Sequence, residues 1–314
     1  MAKDRCGRLE LVTRKVTVRY RFVAETRFKT GRDSTLQGWI WRCDSLFDAD
    51  NADSNGVVII AHGLGDHGGR YRDFAQRLNK KGWHVVAFDL LGHGESPGRR
   101  GCVDSYDGVL SDIGTVRRDV QKRLPGARQV LLGHSMGGNL AVNYALRQQE
   151  FIGDGGNKST DLAGLVLCAP VLLPPDPPAR PKILAAWLTG HLLRWLTIRR
   201  PVSGQTLSSD PDYIATIKSD PLMHGRISVY LATQILSQGR WALDQARELT
   251  VPTLVIYGDK DSLIDQPACD HIAIRAGQNA QCIVWPDRQH DLLHDIGHEE
   301  VLEHLADWLG RHAK

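Results

Sequence analysis

The chain has 314 residues, 42% of them hydrophobic, and a formal net charge of +3. That apolar share suffices for a sizeable core in one large domain or two small ones, and the near-balance of charge points away from nucleic acid as a partner. No apolar run reaches the roughly 18 residues that read as a membrane span, the charged N-terminus has no signal-peptide pattern, and six scattered cysteines without a CxxC suit a reducing, cytoplasmic setting.

The first 32 residues carry ten Lys/Arg against three Asp/Glu. Within Leu9–Cys43 apolar and polar residues alternate, which predicts antiparallel strands at a sheet edge. Val57–Ala61 is a continuous β-branched run, a strand buried on both faces. It feeds Ala61-His-Gly-Leu64, and helical patterning follows over Tyr71–Lys81. A second buried strand, His84–Phe88, ends at Asp89, and a helix is expected over Tyr106–Leu124.

The strand Val130–Gly133 runs into Gly133-His-Ser135-Met-Gly137, with a helix over Gly137–Gln148 behind it. G-x-S-x-G between strand and helix is the layout of a nucleophile elbow, whose serine points clear of the sheet. A further strand covers Leu162–Cys168. The rhythm then breaks: a Pro-rich stretch leads into an apolar helix with basic flanks, Lys182–Arg200, and further helical segments. Strands resume at Val251–Tyr257 and Gln281–Trp285, with helices over Gln266–Ala276 and Glu299–His312. Strand–helix alternation predicts an α/β fold with a mostly parallel central sheet and flanking helices. Residues 1–170 and 242–314 form its core, and 171–241 a helical cap inserted where the strands' carboxyl ends face a ligand.

Acyl transfer at a serine needs a base, an acid to orient that base, and donors for the oxyanion. On such a sheet the chain order is Ser, acid, His. Asp261 follows a strong strand and is favoured as the acid, with Asp259 and Asp265 as competitors. His290 follows the last strand as the base. The oxyanion donors are the amides of Met136, at a helix N-terminus, and of Leu64, after an earlier strand. No metal or cofactor is needed. His290, His294 and His298 stand at helical spacing and could share a cation, but no HExxH or complementary cluster accompanies them. Gly63-Leu-Gly-Asp-His-Gly68, with Asp89 about 20 residues on, matches a dinucleotide-binding pattern. That reading leaves Ser135, Asp261 and His290 without a role.

These blocks, together with Gly92-His-Gly-Glu-Ser96, Leu167-Cys-Ala-Pro170, Ser219-Asp-Pro-Leu222 and His290-Asp-Leu-Leu-His-Asp295, resemble the α/β-hydrolase superfamily. More closely, they resemble its monoacylglycerol lipase, lysophospholipase and serine aminopeptidase-like group. The resemblance implies Ser135, Asp261 and His290 as a catalytic triad, with Leu64 and Met136 as oxyanion amides. It also implies Asp66 and Arg70 near the glycerol end of a substrate, Asp66 standing where the group usually has Glu. The expected activity is hydrolysis of a monoacylglycerol or lysophospholipid through an acyl-enzyme. Small non-lipid esters or peptides are the alternative substrates, and a non-catalytic binding scaffold is the alternative role. Ile183–Leu196 with Lys182, Arg194, Arg199 and Arg200 is expected to pack on the core or to touch a membrane surface transiently.

Overall fold

A computed structural model describes residues 23–29, 35–43, 54–152, 161–176, 178–200 and 203–313. The chain before Val23, which includes Leu9–Phe22 of the expected N-terminal strand region, lies outside them. Eight strands among the described residues form the main sheet: β1 (Val23–Lys29), β2 (Thr35–Trp41), β3 (Gly56–Ala61), β4 (Trp83–Phe88), β5 (Gln129–His134), β6 (Gly164–Cys168), β9 (Thr253–Gly258) and β10 (Ala280–Trp285). Their order is β1-β2-β4-β3-β5-β6-β9-β10. The β1–β2 and β2–β4 pairs are antiparallel and the rest are parallel. The antiparallel edge is therefore where the alternating sequence put it.

The continuous apolar runs are explained by burial on both faces. Val57, Ile59 and Ala61 join one core cluster, while Val58 and Ile60 join another across the sheet. This is the period-two alternation of a pleated strand with helices on both sides. Helices α1 (Arg72–Asn79) and α10 (His298–His312) cover one face with Phe74, Leu78, Leu305 and Trp308. On the other face lie α2 (Tyr106–Arg123), α3 (Met136–Leu146) and α9 (Gln266–Ala276); a short α4 (Gln148–Ile152) follows α3.

Between β6 and β9 come α5 (Arg180–Leu192), α6 (Gly204–Leu207), α7 (Pro211–Ser219) and α8 (Val229–Gln245). This segment is not wholly helical as expected: β7 (Thr197–Arg199) and β8 (Arg226–Ser228) form a small antiparallel sheet. Helix α8 also runs unbroken across the boundary expected at 242. It docks on α3, where Asn139 Nδ2 donates to the Ile235 carbonyl at 3.0 Å and Asn143 Nδ2 to that of Gln238 at 3.2 Å. No helix among the described residues is long and apolar enough to cross a membrane.

The sheet order reverses at β3, with β4 on one side and β5 on the other. The carboxyl ends of β3 and β5 therefore open a crevice at a topological switch point, the usual ligand position in an open α/β sheet.

Candidate active site

Ser135 stands in that crevice between β5 and α3 with φ 58° and ψ −118°. A side chain rarely adopts that backbone, and it persists only where the surroundings impose it. Here they do. A Cβ at Gly137 would lie 2.0 Å from the Ala61 carbonyl oxygen, and one at Gly133 would lie 2.2 Å from that of Gly137. Strand and helix thus pass too close for side chains, and the turn must tighten onto Ser135.

His290 lies on the loop after β10, its Nε2 2.8 Å from Ser135 Oγ and its Nδ1 2.7 Å from Asp261 Oδ2. A carboxylate partner makes Nδ1 the protonated nitrogen, which leaves Nε2 to accept from the serine. Asp261 follows β9, and its second oxygen accepts from the Leu263 amide at 2.8 Å. The competing acids face elsewhere: Asp259 accepts from the Asp287 amide, and Asp265 caps α9 through the Ala268 amide. Burial disfavours the His290 imidazolium, but the charge of Asp261, its hydrogen bond and the nearby Asp291 outweigh it. His290 is therefore held above the ordinary histidine range.

Leu64 and Met136 line the same cavity as Ser135, and among the described residues neither amide donates to a backbone carbonyl. The Leu64 amide is oriented by a residue the sequence did not single out. His62 accepts from the Leu90 amide at Nε2 (3.0 Å), so its Nδ1 donates to the Gly63 carbonyl at 2.8 Å. In a trans peptide that carbonyl and the Leu64 N–H point opposite ways, so His62 fixes the direction of the amide. Complete burial drives His62 down to about 4, and it stays neutral.

Asp66 and Arg70 line the cavity but are committed to each other: Arg70 Nη1 donates to Asp66 Oδ1 at 2.7 Å, and its Nη2 lies 3.4 Å from Asp291 Oδ2. Tyr71 adds a bond to Asp66 at 3.1 Å. Burial alone would raise the Asp66 pKa, but the Arg70 charge prevails and holds it at about 2. Asp291 also accepts from the Tyr213 hydroxyl and from His294 Nδ1, the latter at 2.9 Å. Tyr213, Asp291 and His294 were not foreseen as parts of this site. The repeated His-Asp of His290-Asp-Leu-Leu-His-Asp295 was the available signal.

The metal reading of His290, His294 and His298 fails on geometry. Helix α10 begins only at His298, so the three are not on one helix face. His290 meets Ser135, His294 meets Asp291, and His298 lies against the Asp295 carbonyl and Glu299. No group of candidate metal ligands occurs among the described residues. The dinucleotide pattern also resolves into packing. Asp89 is fully buried and accepts from the Gly68 and Glu95 amides, both at 2.7 Å, so it presents no carboxylate to a ribose. A Cβ at Gly65 would lie 1.8 Å from the His224 carbonyl oxygen.

The cavity above Ser135 has a volume of about 830 Å³. Its walls are largely apolar, built from Val171 beside the crevice and from Ile183, Ile217, Ile227, Val229 and Leu236 of the insertion.

The sheet and the tight strand–helix turn at Ser135 are those of an α/β-hydrolase fold. The chain belongs to the family described as serine aminopeptidase, S33, whose model matches residues 52–297. It is 28% identical over 264 residues to a monoacylglycerol lipase of Mycolicibacterium smegmatis, an alignment covering 83% of this chain and 90% of that protein. A monoglyceride lipase of Rattus norvegicus is 31% identical over 211 residues, 67% of this chain and 66% of the relative. The crystal structure of Paleococcus ferrophilus monoacylglycerol lipase superposes with a TM-score of 0.75 at 25% identity, covering 88% of this chain and 99% of that one. The protein is an ester hydrolase of the monoacylglycerol-lipase-like group.

Proposed function

We propose that the protein hydrolyses monoacyl ester lipids, monoacylglycerols or lysophospholipids, through a Ser135 acyl-enzyme. The carrying observation is the apolar cavity of about 830 Å³ with Ser135 at its floor, near the upper end of the ~300–1,000 Å³ range of ligand pockets. His290 takes the Ser135 proton as Oγ attacks the ester carbonyl. The Leu64 and Met136 amides bind the oxyanion. His290, held by Asp261, then passes the proton to the departing alcohol, and water releases the acid by the same route. The acyl chain lies along the apolar wall, and the alcohol's hydroxyls lie beside Asp66 and Arg70. Residues 171–241 act as the cap over this cavity. A peptide substrate is disfavoured because Asp66 and Asp291, the buried carboxylates able to hold a terminal amine, are occupied by Arg70.

The cap also supports transient contact of a cytoplasmic protein with a membrane surface. Trp187, Leu188, Leu192 and Trp195 are 44%, 50%, 80% and 56% exposed, and apolar side chains left in solvent are what an interfacial anchor requires. The testing experiment is hydrolysis of p-nitrophenyl esters of rising chain length. With the chain along the cavity wall, kcat/KM climbs beyond four carbons, since each buried methylene contributes about 0.8 kcal/mol. A profile that stays flat or declines past four carbons removes the lipid reading, and hydrolysis surviving Ser135→Ala removes the mechanism.

A further inference from the structure

The cavity's wall residues divide by exposure into a floor and a mouth. Asp66, His134, Met136, His290 and Asp291 are buried and surround Ser135. Lys182 on α5, Arg200 just after β7 and Lys218 on α7 line the same cavity but are exposed, so they stand at its opening. Three separate elements thus each contribute an exposed cation to the lining of one cavity. The rim's one exposed carboxylate among the described residues is Asp176. None of the three cations has an ion-pair partner among the described residues. The floor behaves oppositely, since Arg70 there is paired with both Asp66 and Asp291. Lys218 stands in the last turn of α7, where the helix end itself favours a cation, but Lys182, near the N-terminal end of α5, has no such local account, and a neutral ester has no use for it.

We propose that this rim is an anion-binding site that receives the phosphate of a monoacyl phospholipid while Ser135 cleaves its carboxylic ester. The proposal rests on the reading of Ser135 and the apolar cavity given above and narrows its substrate class. The chemistry at the floor is unchanged: the acyl C–O bond breaks, water supplies the acid's hydroxyl, and the alcohol departs with its phosphate intact. The phosphate serves as a handle. Ammonium and guanidinium groups from three directions suit its tetrahedral oxygens. Exposed charges at such a mouth also draw an anionic substrate from solution, to an extent that falls with ionic strength.

The test compares 1-hexanoylglycerol with 1-hexanoylglycerol 3-phosphate, short enough to stay monomeric, using the full chain at low and high salt. Each exposed charge pair contributes roughly two- to five-fold. The phosphate ester is therefore expected to lead in kcat/KM by roughly ten-fold or more at low salt, with the lead shrinking at high salt. In the combined variant Lys182→Gln, Arg200→Gln, Lys218→Gln the ratio of the two kcat/KM values falls toward one. Should that variant fail to fold, the salt dependence of the ratio in the unaltered protein decides alone. Equal rates on the two esters, or a preference untouched by salt and by the variant, overturn the rim site. A preference for monomethyl adipate over methyl hexanoate without one for the phosphate ester also overturns it, because the anion then sits on the acyl side. If neither hexanoyl ester is cleaved, the proposed function itself fails, an outcome distinct from loss of selectivity.

Discussion

His290 and Asp291 are consecutive in the chain, yet their side chains enter separate networks: His290 reaches Ser135 and Asp261, while Asp291 joins Tyr213, His294 and Arg70. Tyr213 lies on α7 in the insertion, Arg70 just before α1 and His294 on the loop after β10. One buried carboxylate therefore fastens the loop that carries His290 to both the core and the segment above the cavity. Burial would raise the Asp291 pKa, but His294, His134 and Arg70 hold it far below the usual carboxylate range.

Asp291→Asn removes that charge and leaves Arg70 with Asp66 alone. Breaking a buried ion pair by removing one partner costs about 3 kcal/mol, so urea unfolding at pH 7 should show a loss of that order. A loss below about 1 kcal/mol would mean that Asp291 is not the fastening point. Tyr213→Phe removes one hydrogen bond to the same carboxylate and should cost about 2 kcal/mol.

The pH–rate profile tests the Asp261–His290 pair. Catalysis needs neutral His290, and Asp261 is the largest influence raising its pKa against burial. The acid limb of kcat/KM should therefore stand above the ordinary histidine value of about 6.5. In Asp261→Asn the charge is lost while burial remains, so the limb moves to lower pH as the rate collapses. A limb that stays in place would assign the titration to another group.

His62 sets the Leu64 amide through the Gly63 carbonyl. His62→Ala should lower kcat by roughly ten- to a hundred-fold, at or below the cost of deleting an oxyanion donor outright, with KM little changed. A rise in KM at unchanged kcat would contradict this positioning role.

Much of this site was legible in the sequence because strand ends are local features. A buried strand followed by Gly, Ser or Asp fixes where a loop begins, and sheet topology then brings Ser135, Asp261 and His290 together across more than a hundred residues. The choice among neighbouring carboxylates was legible only as a preference for Asp261 at the strand end over Asp259 and Asp265. Asp259, Asp261 and Asp265 differ only in local backbone direction, which decided that Asp261 faces His290 while Asp265 caps a helix. The roles of Asp66 and Arg70 were half legible: their place in the cavity followed from the resemblance, but their pairing with Asp291 depends on a contact 221 residues apart. The metal alternative for His290, His294 and His298, already set aside for want of complementary ligands, has no helix face to stand on because a loop carries the first two. The β7–β8 pair was missed because three-residue strands carry too little periodicity to register.

His84, far from the site, gives a stability prediction. It is 3% exposed, accepts from the Cys43 amide at 3.1 Å, and burial lowers its pKa to about 4. Between about 6.5 and 4 the unfolded chain binds a proton there that the folded one refuses. Stability therefore falls as pH drops through that window and levels off, for this group, below 4. The shift corresponds to about 3 kcal/mol, and His84→Gln should remove about that much of the fall in unfolding free energy across the window. His62 titrates in the same direction, so some slope persists in the variant. An unchanged slope would show that His84 does not remain neutral when folded.

The strained backbone at Ser135 predicts a conflict between stability and activity. A residue with a Cβ at φ 58° and ψ −118° carries strain of about 1–3 kcal/mol, imposed by the packing of Gly133 and Gly137 against their neighbours. Glycine adopts positive φ without that penalty, but it gives the unfolded chain more freedom, worth about 0.4–1 kcal/mol in the opposite direction. Ser135→Gly should therefore be inactive and about 1 kcal/mol more stable than the parent. Ser135→Ala keeps the Cβ and with it the strain, so it should be inactive with stability near the parent's. The difference between the two variants isolates the strain from the loss of the hydroxyl, which both share. If glycine proves no more stable than alanine, the elbow is not strained, and its geometry reflects packing alone. Gly137→Ala addresses the packing side. Its Cβ would need the space of the Ala61 carbonyl oxygen, only 2.0 Å away, so β3 and α3 must separate. Stability should fall by more than about 3 kcal/mol, beyond the usual cost of overpacking, with activity lost because the Leu64 and Met136 amides move apart.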